Sequence, residues 1–382
     1  MPSARPRAML PVMTFAGLIV KNLLRQRVRT LLTVLGISVG ITTVVALGVV
    51  TEGMKQTSGD LIRTGGADFM VAQDGASDFS FSTVPESDWA RIARRPDVAS
   101  AFGVLYNFAS VPGNAYFPEM GVRPDQLAGI IGKPETGRLL SGAPNEVVLG
   151  AGAASTLDAS VGDTVDLGGR PRRVTGIFRS SSTYENNGGY MPLETVQRIA
   201  SKPGVVTAVY VKVSPGADPV QVAATIERDE PTLASIASVA DYGKVDQGVA
   251  IMDAVELAIT LLAVGIGAIG VTNTMVMSVF ERTREIGILR AVGWSRRRIL
   301  GTVIGESVAL CALAAVIGVL LGVAASRAIM LVPSISSLLS PVYAPDVFVR
   351  AVVIALVVGL AGAAYPALRA TRLTPMEALR HE

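Results

Sequence analysis

Four stretches of the chain are long, strongly apolar and free of charge: 30–51, 257–280, 307–326 and 351–368. They are 22, 24, 20 and 18 residues long. A helix rises 1.5 Å per residue, so about 20 apolar residues cross ~30 Å of hydrocarbon. A backbone in lipid must satisfy its own hydrogen bonds, and each stretch therefore predicts a membrane-spanning helix. The third span takes in 301–306 as well, which places Glu306 inside it.

The pattern changes between the first two spans. Residues 52–256 alternate apolar and polar positions in short runs broken by glycine and proline. Strands are predicted over 67–72, 98–111, 146–150, 162–169, 172–179 and 205–213. Helices are predicted after Thr83, over 193–201 and over 218–229. In the first of these Thr83 caps, Pro85 opens the first turn and Glu86 completes a capping box. Residues 180–189 read as a polar loop. About 200 residues is too long for an unstructured connection, so this segment is an α+β domain.

Basic residues flank the spans. Residues 1–29 hold six basic residues and no acid, and residues 281–300 hold six basic and two acidic. Arginine and lysine mark the cytoplasmic side, which puts 1–29, 281–300 and 369–382 there and 52–256 outside. The expected division is then as follows. Residues 1–29 form an interfacial amphipathic helix and 30–51 the first span, an uncleaved anchor rather than a signal peptide. The extracytoplasmic α+β domain occupies 52–256, with stalk ends that continue the first two spans. The second span is 257–280, the cytoplasmic coupling helix 281–300 and the third span 301–326. A short outer loop fills 327–350, the fourth span is 351–368, and 369–382 form a cytoplasmic C-terminal helix in which Thr374, Pro375 and Glu377 build a capping box. Both termini are expected in the cytoplasm, in a multi-pass protein of the bacterial cytoplasmic (inner) membrane.

Composition agrees with a membrane protein. Half of the 382 residues are hydrophobic, 17% are charged and mean hydropathy is +0.46. A soluble domain carries about 25% charged residues. The net charge of +3 sits beside the apolar runs and not on one face of a folded domain, so no nucleic-acid partner is expected. One cysteine, Cys311, and one histidine, His381, leave little for metal ligation or histidine-based catalysis. No catalytic, cofactor or metal residues are therefore assigned.

Residues 263–270, AVGIGAIG, contain G-x-G-x-x-G at Gly265, Gly267 and Gly270. A dinucleotide site needs a strand before those glycines and an amphipathic helix after them. Here they lie inside an apolar run, where small residues such as Ala263 and Gly267 instead let another helix approach. No G-x-x-x-x-G-K-[ST] occurs in the sequence, so none of its residues forms a phosphate loop of that kind.

The segment between the second and third spans reads SVFERTREIGILRAVGWSRRRIL over 278–300. Ile286, Leu289 and Val292 predict an apolar stripe, and Glu281, Arg284 and Glu285 lie within pairing distance, with Arg282 as the other arginine open to Glu285. Gly293 is placed to end the helix and Ser295 to cap the next. Glu306 is expected to reach the cytoplasmic face or to pair with Arg297 or Arg298; the competing reading ties the third span to the coupling helix.

Four stretches, RTREIGILRAVG among them, resemble the MacB/FtsX-like family of ABC transporter permeases. The others are 22–41, 162–178 and the C-terminal YPALRATRLTPMEALRHE. The resemblance implies four spans and a large extracytoplasmic domain between the first two. It implies a dimer, with a second copy or a paralogue, driven by two cytoplasmic ABC ATPase subunits. ATP and magnesium would be bound by those subunits, with no cofactor in this chain. Arg284, Glu285, Ile286, Gly287 and Gly293 match the coupling motif. Ile286 and Leu289 are the expected anchors on the ATPase. Export or extraction of a substrate from the outer side is the implied function, with an extracytoplasmic adaptor as a further partner. The alternative is a non-transporting subunit that regulates a cell-wall hydrolase. A membrane-anchored protease and a ligand-sensing receptor are weaker rivals.

Overall fold

The computed structural model describes residues 27–112 and 114–372. The interfacial helix expected before residue 27 and the capping box expected at Thr374 lie outside the described residues. In chain order the helices begin with α1 (Arg27–Ile62), α2 (Glu86–Ala93), α3 (Leu127–Ile131) and α4 (Ala151–Thr156). There follow α5 (Thr183–Asn186), α6 (Leu193–Ile199), α7 (Pro219–Asp229) and α8 (Gln247–Glu281). The last are α9 (Thr283–Ala291), α10 (Arg296–Ile329), α11 (Pro333–Ser336) and α12 (Pro345–Arg372). Four of them, α1, α8, α10 and α12, are long and apolar enough to cross a membrane. The chain divides into two compact units. One holds the chain up to Gly48, Glu256–Ala325 and the chain from Ala344; the other holds Val49–Val255 and Ser326–Tyr343.

The helical unit closes into a ring of four contacts, each joining a small residue to a hydroxyl. Where α1 meets α8, a Cβ added at Gly40 would stand 3.1 Å from Ala263 Cβ. Nearby, Thr33 Oγ1 and Thr274 Oγ1 share a hydrogen bond of 2.7 Å. Where α1 meets α10, a Cβ at Gly318 would lie 2.7 Å from Ile41 Cβ, and Thr42 Oγ1 donates to Gly318 O. Where α8 meets α12, a Cβ at Gly362 would lie 2.6 Å from Val271 Cβ, and Thr272 Oγ1 donates to Gly362 O at 2.9 Å. Where α10 meets α12, Gly359 sits against Cys311 and accepts from Ser307 Oγ at 2.7 Å. Of the three glycines in G-x-G-x-x-G, Gly267 packs on Val358 of α12, while Gly265 and Gly270 face open space.

The second unit is built on a mixed sheet. Its strands are β1 (Phe69–Gln73), β3 (Val98–Val111), β4 (Asn114–Val122), β5 (Thr136–Gly137) and β6 (Glu146–Gly150). They are joined by β7 (Thr164–Asp166), β8 (Pro171–Phe178), β9 (Gly189–Pro192), β11 (Ala208–Val213) and β12 (Leu233–Ile236). The order is β12-β1-β11-β3-β4-β9-β6-β8-β5, with β7 on β8. Pairs β4–β9 and β6–β8 are parallel, and the others are antiparallel. A separate small ladder joins β2 (Val84–Pro85) to β10 (Val205–Val206). Both faces of the large sheet are covered, which explains why its central strands read as unbroken apolar runs. Side chains alternate between faces. Phe69, Val71, Leu105, Val209 and Val211 enter one core with Trp89 of α2, Val196 of α6 and Ile226 of α7. Met70, Ala72, Val104, Tyr106 and Tyr210 enter the other with Leu61 and Ile62 of α1 and Leu127 of α3.

Several local expectations change. Thr83 and Glu86 form no capping box: the residue before α2 is Pro85, without a side-chain cap. Thr83 Oγ1 donates to Gln73 instead, and Glu86 accepts from Gln197 and Arg123. These tertiary partners outcompete the local cap. The strand expected over 205–213 breaks at Thr207, whose Oγ1 accepts from Tyr106 N at 3.0 Å and whose carbonyl accepts from Ser82 Oγ at 2.7 Å. The polar loop expected over 180–189 contains α5 and buries Tyr184 and Glu185. Strand β4 escaped sequence reading because Pro118 interrupts its middle.

The close approaches predict an asymmetry among glycines. Gly362→Val should destabilise the helical unit by about 1–3 kcal/mol through overpacking against Val271 and the Ala268 carbonyl. Gly265→Ala, in open space, should stay within about 1 kcal/mol of the wild type. Denaturant titration in mixed micelles checks both; equal stability of the two variants would show that the glycine contacts carry no packing.

Candidate functional site

The segment between α8 and α10 is a short helix held on three sides by its own unit. Arg282 is the one residue between α8 and α9, with φ −108° and ψ 15°. Thr283 Oγ1 donates to Val279 O and Phe280 O, the last carbonyls of α8. From that corner the Arg282 guanidinium reaches two carboxylates. Nη1 donates to Glu306 Oε1 of α10 at 2.7 Å, and Nε donates to Glu285 Oε2 in the first turn of α9 at 3.3 Å. Arg29 of α1 donates to Glu281 Oε1 at 2.7 Å, and Arg290 of α9 donates to Thr371 O of α12 at 2.8 Å.

The helix ends by a specific signal. Gly293 takes φ +101°, the left-handed region that favours glycine. Its N–H donates to Arg290 O, and Trp294 N–H donates to Leu289 O at 3.0 Å. This is the Schellman pattern, and Leu289 and Trp294 face the same small cavity as its apolar seal. Ser295 Oγ then accepts from Arg298 N at 3.4 Å, which starts α10.

Both faces of α9 have defined company. Ile286 is only 6% exposed and packs among Val279, Ile299, Val303, Ala367 and Ala370. Gly287 is buried beside it. A cavity of about 30 Å³ is lined by Arg282, Ile286, Leu289, Trp294 and Glu306. The other face presents Arg284 and Glu285 with Ile288, 48% exposed, and Val292, 77% exposed.

Three sequence expectations are corrected here. Ile286, Leu289 and Val292 do not form one stripe, because Ile286 points inward while Val292 is the most exposed of the three. At about 100° per residue, six residues turn the helix by roughly 600°, so those two positions fall on well separated faces. Ile286 is thus spent on the internal core, and the exposed apolar pair is Ile288 and Val292. Glu306 pairs with neither Arg297 nor Arg298. It is 3% exposed and bonds Arg282. Arg298 lies eight residues earlier, roughly 12 Å along the same helix, and is exposed. Glu281 pairs with Arg29 in place of Arg284, and Glu285 takes Arg282, the second of its two expected partners. Sequence reasoning missed the bond from Arg282 to Glu306, and the roles of Arg290 and Trp294. The Arg282–Glu285 spacing of three was a readable signal, whereas nothing local links Arg282 to Glu306.

Comparison with known proteins agrees along most of the chain. The MacB-like periplasmic core domain model matches residues 30–229, and the FtsX-like permease C-terminal model matches residues 257–375. The macrolide export ATP-binding/permease protein MacB of Agrobacterium fabrum is 26% identical over 392 residues, covering 94% of this chain and 59% of that protein. MacB of Escherichia coli (strain K12) is 28% identical over 404 residues, covering 95% of this chain and 60% of that protein. The chain therefore spans about three-fifths of the length of these relatives. Among solved structures, the periplasmic region of MacB from Actinobacillus actinomycetemcomitans is 16% identical with a TM-score of 0.37, covering 47% of this chain and 93% of that one. The first of the two family matches alone takes in more than half of the chain, and together the two cover most of α1, most of the α+β unit, the span part of α8, and all of α10 and α12. The chain belongs to the MacB/FtsX-like family of ABC transporter permeases.

Proposed function

We propose that this chain is the permease part of an ABC transporter, and that α9 is where an ABC ATPase outside these residues drives it. The observation that carries the reading is the two-sidedness of α9. One side is held to α8, α10 and α12, by Thr283, by the Arg282–Glu306 pair at its N-terminal corner and by Arg290, and the other offers Arg284, Glu285, Ile288 and Val292. A short helix with an apolar pair and flanking charges suits a partner's groove. Because α9 is clamped to three other helices, a push on it moves the helical unit and not a loose hairpin. Helices α1 and α8 each contribute residues to both units, so motion of their inner ends reaches the α+β unit.

The arginines around 281–300 support a cytoplasmic place for α9 in the bacterial inner membrane, with the α+β unit on the outer side. The relatives' names describe macrolide export by proteins that also carry an ATP-binding part. Export of a substrate from the outer side, by a pair of permease copies, is the corresponding reading for this chain.

Two predictions follow the two faces of α9. Glu285→Lys and Ile288→Asp alter the outward face and should weaken co-purification of the ATPase at least tenfold, since a charge clash in an interface costs several kcal/mol. On a solvated surface the same changes would cost within about 0.5 kcal/mol. Wild-type recruitment and wild-type ATP turnover in both variants would refute the docking role of α9.

The inward face is tested by its ion pair. Arg282→Met takes the guanidinium away from the buried Glu306 carboxylate, which should destabilise the helical unit by about 3–5 kcal/mol. Arg282→Met with Glu306→Leu should recover most of that loss, because an apolar pair of similar size replaces the ions. A double-mutant cycle by denaturant titration measures the coupling; additive losses would show that the two groups do not support one another.

A further inference from the structure

The α+β unit contains a cavity that the coupling reading does not use. It encloses roughly 260 Å³ beside the last turns of α1, the turn Phe79–Phe81, β3 and α5. Aromatic rings form a continuous wall around it. Phe79 lies 5.3 Å from Tyr106 and 5.8 Å from Tyr242 between ring centroids, and Tyr184 lies 5.6 Å from Tyr106 and 6.2 Å from Phe108. The same cavity is lined by two carboxylates, Asp78 and Asp246, and by no lysine, arginine or histidine. Its polar groups are incompletely used. Tyr184 and Tyr242 are more than nine-tenths buried, yet neither hydroxyl has a hydrogen-bond partner among the described residues. Tyr106, by contrast, bonds Tyr210 at 2.7 Å.

These features narrow the occupant by elimination. An anion would meet two carboxylates and no basic group. A neutral apolar molecule would fit the rings but make no use of the two acids. A hard metal ion wants six or more oxygen ligands, and the described residues offer no group of three acidic, histidine or cysteine side chains. A cation with an apolar body uses everything present. Aromatic faces attract cations through their quadrupole, and carboxylates add direct charge. Burial already holds the Asp246 carboxyl above the usual carboxylate range, and the Asp78 charge pushes it the same way. A bound cation would relieve that repulsion. The volume exceeds the ~150 Å³ that accommodates a benzene ring and falls short of the roughly 300–1,000 Å³ of drug-sized sites. The occupant is therefore about one ring with a charged head.

We infer that the α+β unit holds a binding site for a small aromatic or aliphatic organic cation, formed by the aromatic wall of Phe79, Tyr106, Phe108, Tyr184 and Tyr242 and the carboxylates Asp78 and Asp246. The site goes beyond the coupling function and needs no ATPase, so it stands or falls separately.

The test uses the full chain in phosphatidylcholine nanodiscs, whose lipid carries no net charge. Binding of benzyltrimethylammonium is compared by calorimetry with that of its neutral isostere, neopentylbenzene, and of the anion benzylsulfonate. The cation should bind at least tenfold more tightly than either. Asp78→Asn with Asp246→Asn keeps the acceptor oxygens that take the Ser80 and Gly248 amides. It should lower cation binding at least tenfold and leave the neutral compound unchanged. Phe108→Ala, at a half-exposed position, should weaken both several-fold without a loss of melting temperature. Equal binding of cation and isostere, indifference of cation binding to the double substitution, or no saturable cation binding up to roughly 10 mM would overturn the proposal.

Discussion

Close approach at glycine is the constraint on which the helical unit depends. Lipid tails are as apolar as leucine, so burying side chains against one another gives no hydrophobic drive in the bilayer. What remains is van der Waals packing and hydrogen bonding between helices. Gly40, Gly318, Gly359 and Gly362 each remove a Cβ where another helix passes. A hydroxyl bond joins the same helix pair in every case, from Thr33, Thr42, Ser307 and Thr272. Each such bond contributes about 0.6 kcal/mol on average, a small amount that becomes useful when four contacts close a ring. The ring fixes where α10 stands against the end of α8. That position is what allows Glu306 to meet Arg282.

The α+β unit obeys a different rule, because water supplies the driving force there. Its sheet is covered on both faces, one by α2, α6 and α7 and the other by the end of α1 with α3 and short turns. The first cover is made of regular amphipathic helices and packs densely around Trp89 and Val196. The second is made of short pieces that carry tyrosines. Tyrosine is large but needs a partner for its hydroxyl when buried. Tyr106, Tyr190 and Tyr210 find protein partners, while Tyr184 and Tyr242 turn to a cavity. Irregular cover and aromatic content together produce the pocket on that face.

The spans were legible because about twenty strongly apolar, uncharged residues in a row have few other uses, and α1, α8, α10 and α12 contain the four runs read from sequence. The α+β class was equally legible, from short alternating runs such as 146–150, which is β6 with the same bounds. What stayed hidden depends on contacts between distant residues. Thr83 has a good local cap to make, but Gln73 competes for it. Pro118 argues against a strand until its neighbours β3 and β9 are known. At the coupling segment, the helix stop at Gly293 was readable because left-handed backbone favours glycine locally. The direction of Ile286 was not, because an amphipathic pattern fixes which residues share a face but not which partner each face meets. Only the surrounding Ile299, Val303 and Ala367 decide that Ile286 turns inward.

A helix that passes force needs more than apolar contact. Apolar surfaces slide over one another with little loss, since dispersion is non-directional and each atom pair contributes only about 0.1–0.2 kcal/mol. A buried ion pair is different. Arg282 and Glu306 have side-chain exposures of 16% and 5%, and a shift of α9 along α10 would pull them apart. The penalty for separating such a pair is steep, even though its net contribution to stability relative to an apolar pair is small or negative. Arg290 adds a second directional tie, to the carbonyl of Thr371 near the other end of the helix. With a fixed bond at each end and Ile286 seated between them, α9 has one register against the bundle. The exposed Glu285, Ile288 and Val292 are thereby held at fixed positions, which is what the proposed docking of an ATPase on α9 requires.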